Sequence, residues 1–174
     1  MKILVTGGSA SGKSSYAEAL AAGLPSPRWY VATMQPLDDE CKKRIEKHRI
    51  QRSGLGFKTL ECPLNLEKLI LPERGTVLLE CMSNLAANEL FDPRGAGKAS
   101  KEAIARGINI LGAQAEHLVV VTNDVFADGN RYDDSTMEYL RLLGELNRQL
   151  AADFDEVYEV VCGIPVCHKR EACH

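Results

Sequence analysis

No run of this 174-residue chain approaches the ~18 consecutive apolar residues that a membrane-spanning helix needs. The opening Met1-Lys2-Ile3-Leu4-Val5-Thr6 offers one basic residue and a short apolar run before glycines. That is too little for the apolar core of a signal peptide, so a soluble cytoplasmic protein without membrane insertion is expected. Excess positive charge is missing too: 21 Lys+Arg face 24 Asp+Glu, a formal net charge of −3. Broad electrostatic attachment to nucleic acid or to an anionic membrane is therefore not expected. Cysteine is sparse, with six in the chain and no C-x-x-C pair among them. A chain of this size buries about 70% of its unfolded surface and needs no covalent staples. The cysteines read as free thiols in a reducing compartment rather than a disulfide framework. Repeats and low-complexity tracts are absent, and at roughly 100–200 residues per domain there is no room for two full domains. The expectation is one domain over residues 1–166 with a flexible C-terminal tail, residues 167–174.

What is present is an alternation of two periodicities. Apolar runs rich in β-branched residues occur at Ile3–Thr6, Trp29–Thr33, Thr76–Glu80, Leu118–Thr122 and Val157–Val161. The first four are nearly continuous, as in strands buried on both faces. Helical patterns fall between and after them, at Lys13–Ala22, Asp38–Arg52, Ser83–Leu90, Ser100–Glu116 and Ser135–Ala152. Phe91–Ala99 and Ser53–Gly56 read as loops. Such alternation predicts an α/β fold, a mostly parallel central sheet with helices on both faces.

Gly7-Gly8-Ser9-Ala10-Ser11-Gly12-Lys13-Ser14 fits G-x-x-x-x-G-K-[ST] between the first strand and the first helix. That context identifies a P-loop. Glycines let backbone amides turn inward on phosphate oxygens, and the helix N-terminus adds a favourable dipole. Lys13 is expected on the β/γ-phosphates and the Ser14 hydroxyl on Mg²⁺. An acid at the end of a buried strand completes such a site, and Glu80 and Asp124 both stand at strand ends. Glu80 is the favoured metal partner, directly or through water, because an unpaired buried charge is too costly to be idle. A guanine-reading N-K-x-D motif is missing: Thr122-Asn123-Asp124-Val125 does not supply it. Small-molecule phosphoryl or nucleotidyl transfer is the natural class.

The second helical pattern starts with Asp38-Asp39-Glu40, acids that suit a helix N-terminus. Cys41, Ile45 and His48 share one face of it, while Lys42, Lys43, Glu46, Lys47 and Arg49 lie largely away from that face. His48 fits either a hydrogen-bonded packing residue or a nucleophile aimed at a phosphate, with Arg49 and Arg52 neutralising charge. Spacing alone leaves both open. In the tail, Cys162, Cys167-His168 and Cys173-His174 lack the tight spacing of zinc sites.

Taken together these pieces resemble the bifunctional adenosylcobinamide kinase / adenosylcobinamide-phosphate guanylyltransferase family of cobalamin biosynthesis. The matching elements are Gly7-Gly8 leading to Ser11-Gly12-Lys13-Ser14, Tyr30-Val31-Ala32-Thr33, Leu37-Asp38-Asp39-Glu40, Arg44-Ile45 with His48-Arg49, and Lys58-Thr59-Leu60-Glu61. Leu78-Leu79-Glu80-Cys81, Thr122-Asn123-Asp124 and Gly144-Glu145-Leu146-Asn147-Arg148-Gln149 continue the match in the same order. The resemblance implies a P-loop domain that binds GTP and places the family's guanylylated histidine on His48. It implies nucleotide contacts at Gly7, Gly8, Ser9, Ala10, Ser11, Gly12, Lys13 and Ser14, then at Thr33, Met34 and Gln35. Arg49, Ile50, Gln51 and Arg52, with Glu61 and Glu80, complete that set. The implied substrates are GTP or ATP with adenosylcobinamide or its phosphate, the implied ion is Mg²⁺, and the implied assembly is a homotrimer. The rival readings are another small-molecule P-loop kinase with a structural His48, or a non-catalytic GTP-binding regulator. The chain departs from the family at Phe126-Ala127-Asp128-Gly129-Asn130-Arg131, where a glycine-rich stretch is usual, and at Asp124, where Glu is usual. That departure bears on the acceptor pocket more than on the nucleotide.

Overall fold

The continuous apolar runs become strands whose side chains feed two cores, one on each side of a sheet. The computed structural model describes residues 1–124 and 133–170. The departure at Phe126–Arg131 and the terminal Cys173-His174 lie outside the described residues, as does the side chain of Gln51. The elements run β1 (Lys2–Thr6), α1 (Lys13–Ala22), β2 (Arg28–Ala32), α2 (Asp39–Arg52), β3 (Phe57–Glu61) and β4 (Thr76–Glu80). They continue as α3 (Met82–Phe91), α4 (Ser100–Gln114), β5 (His117–Val121), α5 (Asp134–Asp153), β6 (Glu156–Val161) and β7 (Ile164–Arg170). The sheet order is β3-β2-β4-β5-β1-β6-β7. Every pairing is parallel except β6 with β7.

Register sets which residues share a face. Leu4 pairs with Val120, Val120 with Leu79 and Leu79 with Val31. These four point into the larger core, against Met82 and Leu85 of α3, Ile104 and Leu111 of α4, and Leu143 and Leu146 of α5. Their neighbours Ile3, Val5, Tyr30, Leu78, Val119 and Val121 turn to the opposite face. There α1 packs through Ala17 and Ala21, both fully buried. Alanines let that helix lie close on the sheet, which brings its N-terminus and the preceding loop down onto the strand ends. A fully buried leucine such as Leu79 contributes about 1.5–3 kcal/mol.

Two strands depart from the sequence expectation. β3 is short, half exposed and at an edge, and its residues Phe57–Glu61 include a lysine and a glutamate that mask its apolar character. β7 overturns the expected tail from residue 167: Cys167–Arg170 pair with β6 as part of a hairpin. The two-residue turn is Cys162-Gly163, with φ of +50° and +81°. Positive φ at both positions matches the twist of the flanking strands. Pro165 is tolerated because β7 is an edge strand. The described cysteines, Cys41, Cys62, Cys81, Cys162 and Cys167, are all free thiols. Among the described residues no helix is long and apolar enough to cross a membrane.

Candidate active site

The carboxyl ends of parallel strands collect loops, and crossovers to opposite faces leave a crevice there. In this protein that crevice is a cleft of about 290 Å³, with walls drawn from the strand ends, the P-loop and α2. Lys13 and Ser14 form its P-loop side, and Glu61, Glu80, Cys81 and Asn123 stand at strand ends around it. Arg44, Ile45, His48, Arg49 and Arg52 of α2 close it from the far side.

The loop between β1 and α1 is held by contacts only glycine permits. A Cβ on Gly7 would lie 2.6 Å from Ser11 Oγ and 2.7 Å from the Val160 carbonyl oxygen. Gly12 has φ of +91° and sits against Gly163, whose amide donates to the Ser11 carbonyl at 2.8 Å. The β6–β7 turn thus buttresses the P-loop. Lys13, 9% exposed, donates to the Gly8 carbonyl at 2.9 Å, so its ammonium lies across the loop where phosphate oxygens are to be met. Burial lowers its pKa, with Cys81 and Glu80 beside it pulling the other way.

α2 turns one face to the cleft rather than to a core. Asp38 caps it, its side chain accepting from the Cys41 amide at 2.7 Å, and Asp39 and Glu40 occupy the first turn. Of its residues with described side chains only Arg52 is buried. Arg44, His48 and Arg52 repeat at i, i+4 and i+8, flanked by Ile45 and Arg49 one position on. Arg49 therefore faces the cleft, although helix spacing alone places it largely away from the face of Cys41, Ile45 and His48. The facing stripe is wider than the three residues Cys41, Ile45 and His48 suggest, because a helix face a turn deep spans neighbouring positions. The Arg52 guanidinium lies over the Tyr30 ring, 3.3 Å from its centroid.

Acids sit among these cations. Glu80 Oε2 accepts from the Tyr30 hydroxyl at 3.3 Å. Burial first, and then the nearby Glu80 charge, push the Tyr30 phenol well above its ordinary pKa. Glu18, on α1, is 2% exposed. Burial, with Glu80 adding to it and Arg52 opposing, raises its pKa from 4.5 to about 7. One ligand atom each from Glu18, His48 and Glu80 lies within 4.8 Å of the others.

Among the residues expected from sequence, Lys13, Ser14, Met34, His48, Arg49, Arg52, Glu61 and Glu80 meet at this cleft. Gly7, Gly8, Ser9, Ala10, Ser11 and Gly12 form the loop beside it. Thr33 is fully buried and acts as a strut: its hydroxyl donates to the Cys81 carbonyl and accepts from the Cys81 amide, both at 2.8 Å. It fixes the backbone that carries Glu80. Gln35 points elsewhere, donating to Asp92 at 3.1 Å, and Ile50 is 64% exposed. Asp124 is not in the wall; its amide donates to the Gly7 carbonyl at 3.1 Å, and Asn123 faces the cleft instead. Asn123 donates to Ser83 Oγ at 2.8 Å, and Asn147 donates to the Asn123 carbonyl at 3.2 Å. Sequence reasoning missed Glu18, Tyr30, Arg44, Thr59, Ser83, Asn84 and Asn123. For Glu18 there was a signal: an acid one turn after Ser14 in an alanine-rich helix that must pack on a sheet.

This strand, glycine loop, lysine and strand-end acid define a P-loop α/β protein. The backbone likeness agrees: a solved chain described as a prototypical ATPase from the type III secretion system of pathogenic bacteria superposes with TM-score 0.51. It shares 8% identity, and the match covers 95% of this chain and 56% of that one, so it speaks to fold alone. Residues 3–167 match the family described as cobinamide kinase / cobinamide phosphate guanyltransferase, and the chain belongs to that family. It is 39% identical over 180 residues to the bifunctional adenosylcobalamin biosynthesis protein CobU of Salmonella typhimurium, covering 95% of this chain and 98% of that protein. CobU of Escherichia coli K12 matches with the same identity and coverage. The bifunctional adenosylcobalamin biosynthesis protein CobP of Pseudomonas aeruginosa is 30% identical over 176 residues, covering 98% of this chain and 99% of that protein.

Proposed function

We propose that this enzyme phosphorylates adenosylcobinamide and then transfers GMP from GTP to adenosylcobinamide phosphate, forming adenosylcobinamide-GDP. The observation that carries the reading is that His48 and the P-loop residues Lys13 and Ser14 face one cleft of about 290 Å³. A histidine sharing a cleft with the phosphate-binding residues supports a role in nucleotide chemistry over one in packing.

The chemistry follows from the groups present. A neutral imidazole nitrogen of His48 attacks the α-phosphorus of GTP, and pyrophosphate leaves with the electron pair of the broken P–O bond. The GMP-histidine so formed divides one transfer into two steps. Lys13 and the loop amides carry the negative charge that grows on the departing phosphates. Arg44, Arg49 and Arg52 keep the α2 wall cationic. A phosphate oxygen of adenosylcobinamide phosphate then attacks the same phosphorus and frees His48. For the kinase reaction, the acceptor hydroxyl attacks the γ-phosphorus of ATP or GTP held by the same loop; the nucleoside diphosphate leaves with the electron pair of the broken P–O bond, and the hydroxyl proton passes to solvent.

Ser14 and Glu80 supply oxygen donors at the cleft, the hard donor type that suits Mg²⁺. When bound there, magnesium supplies charge neutralisation on the β- and γ-phosphates. A homotrimeric assembly and a cytoplasmic setting belong to the same reading and rest on the family resemblance.

The test uses two labels. With γ-labelled nucleotide, label is expected on adenosylcobinamide; with α-labelled GTP, label is expected on the histidine and then on adenosylcobinamide phosphate. A kinase that never takes up α-label would overturn the transferase half. Tight GTP binding without turnover of either corrinoid would leave only a nucleotide-binding regulator.

A further inference from the structure

Among the described residues, Glu18 is a buried acid that the chemistry above leaves without a task. It stands on α1 one turn beyond Ser14, is 2% exposed, and its Oε1 has no hydrogen-bond partner. On α2, Nδ1 of His48 is equally withdrawn from solvent and equally without a partner. Ligand atoms of Glu18, His48 and Glu80 lie within 4.8 Å of one another. Two residues of one small cluster that each carry an orphaned polar atom, a carboxylate oxygen and a ring nitrogen, are natural partners, since buried polar atoms are seldom left unpaired. Glu80 is otherwise engaged, accepting from Tyr30 and adjoining Lys13. Arg52 Nη1 is a second unpartnered donor near Glu18, but its guanidinium is already anchored over the Tyr30 ring, whereas His48 Nδ1 has no partner at all.

We propose that Glu18 is the positioning residue for His48: its carboxylate accepts the Nδ1 proton, fixes the ring plane and leaves the Nε2 lone pair facing the nucleotide. The assignment rests on the reading of His48 as the guanylylated residue. In the transfer, the Nε2–P bond forms as the bond from α-phosphorus to the bridging oxygen breaks, and pyrophosphate departs with that electron pair. The Nδ1 proton stays between the ring and Glu18, so the cationic ring of the adduct faces a negative charge. A second nitrogen held by a carboxylate is the general way an imidazole is aimed. Glu80 then serves the phosphate side of the cleft and Glu18 the histidine side.

The experiment compares wild type, Glu18→Gln and Glu18→Ala with α-labelled GTP and Mg²⁺. It measures the adduct-forming rate at saturating GTP, the GTP Kd by calorimetry, and the attachment nitrogen by phosphorus and nitrogen NMR of the labelled protein. The expected result is a rate lower by about 10–100-fold in Glu18→Gln with Kd changed by less than about threefold. The wild-type adduct is expected on Nε2 alone, with an Nδ1 fraction emerging in Glu18→Ala. A Glu18→Gln rate within twofold of wild type overturns the assignment, as does a wild-type adduct on Nδ1. Equal losses of rate and affinity overturn it as well, since they signal a merely structural role. A wild type that forms no adduct overturns the transferase reading itself, and this assignment with it.

Discussion

Replacing Glu18 by Gln isolates the cost of a charge buried behind the nucleotide cleft. Burial, reinforced by Glu80 and opposed by Arg52, lifts the Glu18 carboxyl from 4.5 to about 7 in the folded protein. The folded state therefore holds a proton that the unfolded chain has released. Below about pH 4.5 both states carry the proton and Glu18 costs nothing. As pH rises from 4.5 to 7 the folded state loses relative stability, and above 7 the penalty is constant. The interval from 4.5 to about 7 corresponds to a penalty of ~2–3 kcal/mol. Glutamine has the same shape and no charge, so Glu18→Gln is expected to match wild type near pH 4.5 and exceed it by ~2–3 kcal/mol at pH 8. For a chain of this size that is about 4–12 °C in Tm. Urea unfolding followed by far-ultraviolet circular dichroism, from pH 4.5 to 8.5 at fixed ionic strength, measures the separation directly. Adding Glu80→Gln to both proteins is expected to narrow it, because part of the shift comes from that neighbour. Stability curves that run parallel across the range would refute the reasoning.

Three further outcomes are expected. Lys13→Ala removes the ammonium from the loop and weakens triphosphate binding by about 1.5–3 kcal/mol, roughly 10–150-fold; calorimetry should show nucleoside affinity nearly unchanged. Gly12→Ala forces a side chain onto φ of +91° and to 3.2 Å from the Gly163 Cα. It should cost ~1–2 kcal/mol or more in denaturant unfolding and disturb nucleotide affinity through the P-loop and the β6–β7 turn together. Arg52→Lys keeps the charge and loses the guanidinium stack at 3.3 Å over Tyr30, an expected loss of about 0.5–2 kcal/mol seen as a lower urea midpoint.

Much of the frame is legible in the amino-acid sequence, and the reasons are local. The P-loop declares itself because close packing at Gly7 and a φ of +91° at Gly12 leave few residues admissible at those two positions, and Thr76–Glu80 and Lys13–Ala22 coincide with the elements found. β3 and β7 escape because edge strands need only one partner and tolerate Lys58 and Pro165, which dilute the apolar signal. The site is half legible. His48, Lys13 and Glu80 carry spacing or strand-end signals, whereas Tyr30 and Asn123 look like ordinary strand and loop residues until the sheet order brings β2, β4 and β5 to one cleft. Thr33 shows the reverse case: a residue at a motif position whose observed task is to hold the Glu80–Cys81 backbone.

The central claim is that His48 takes up a nucleotide. Wild type and His48→Ala, each incubated with Mg²⁺ and GTP labelled at either the α- or the γ-phosphate, decide it. Intact-mass spectrometry and peptide mapping should find one GMP on the peptide containing His48, α-label retained and γ-label absent, with the adduct acid-labile, base-stable and missing from His48→Ala. An active kinase that carries no α-label on His48 would contradict it.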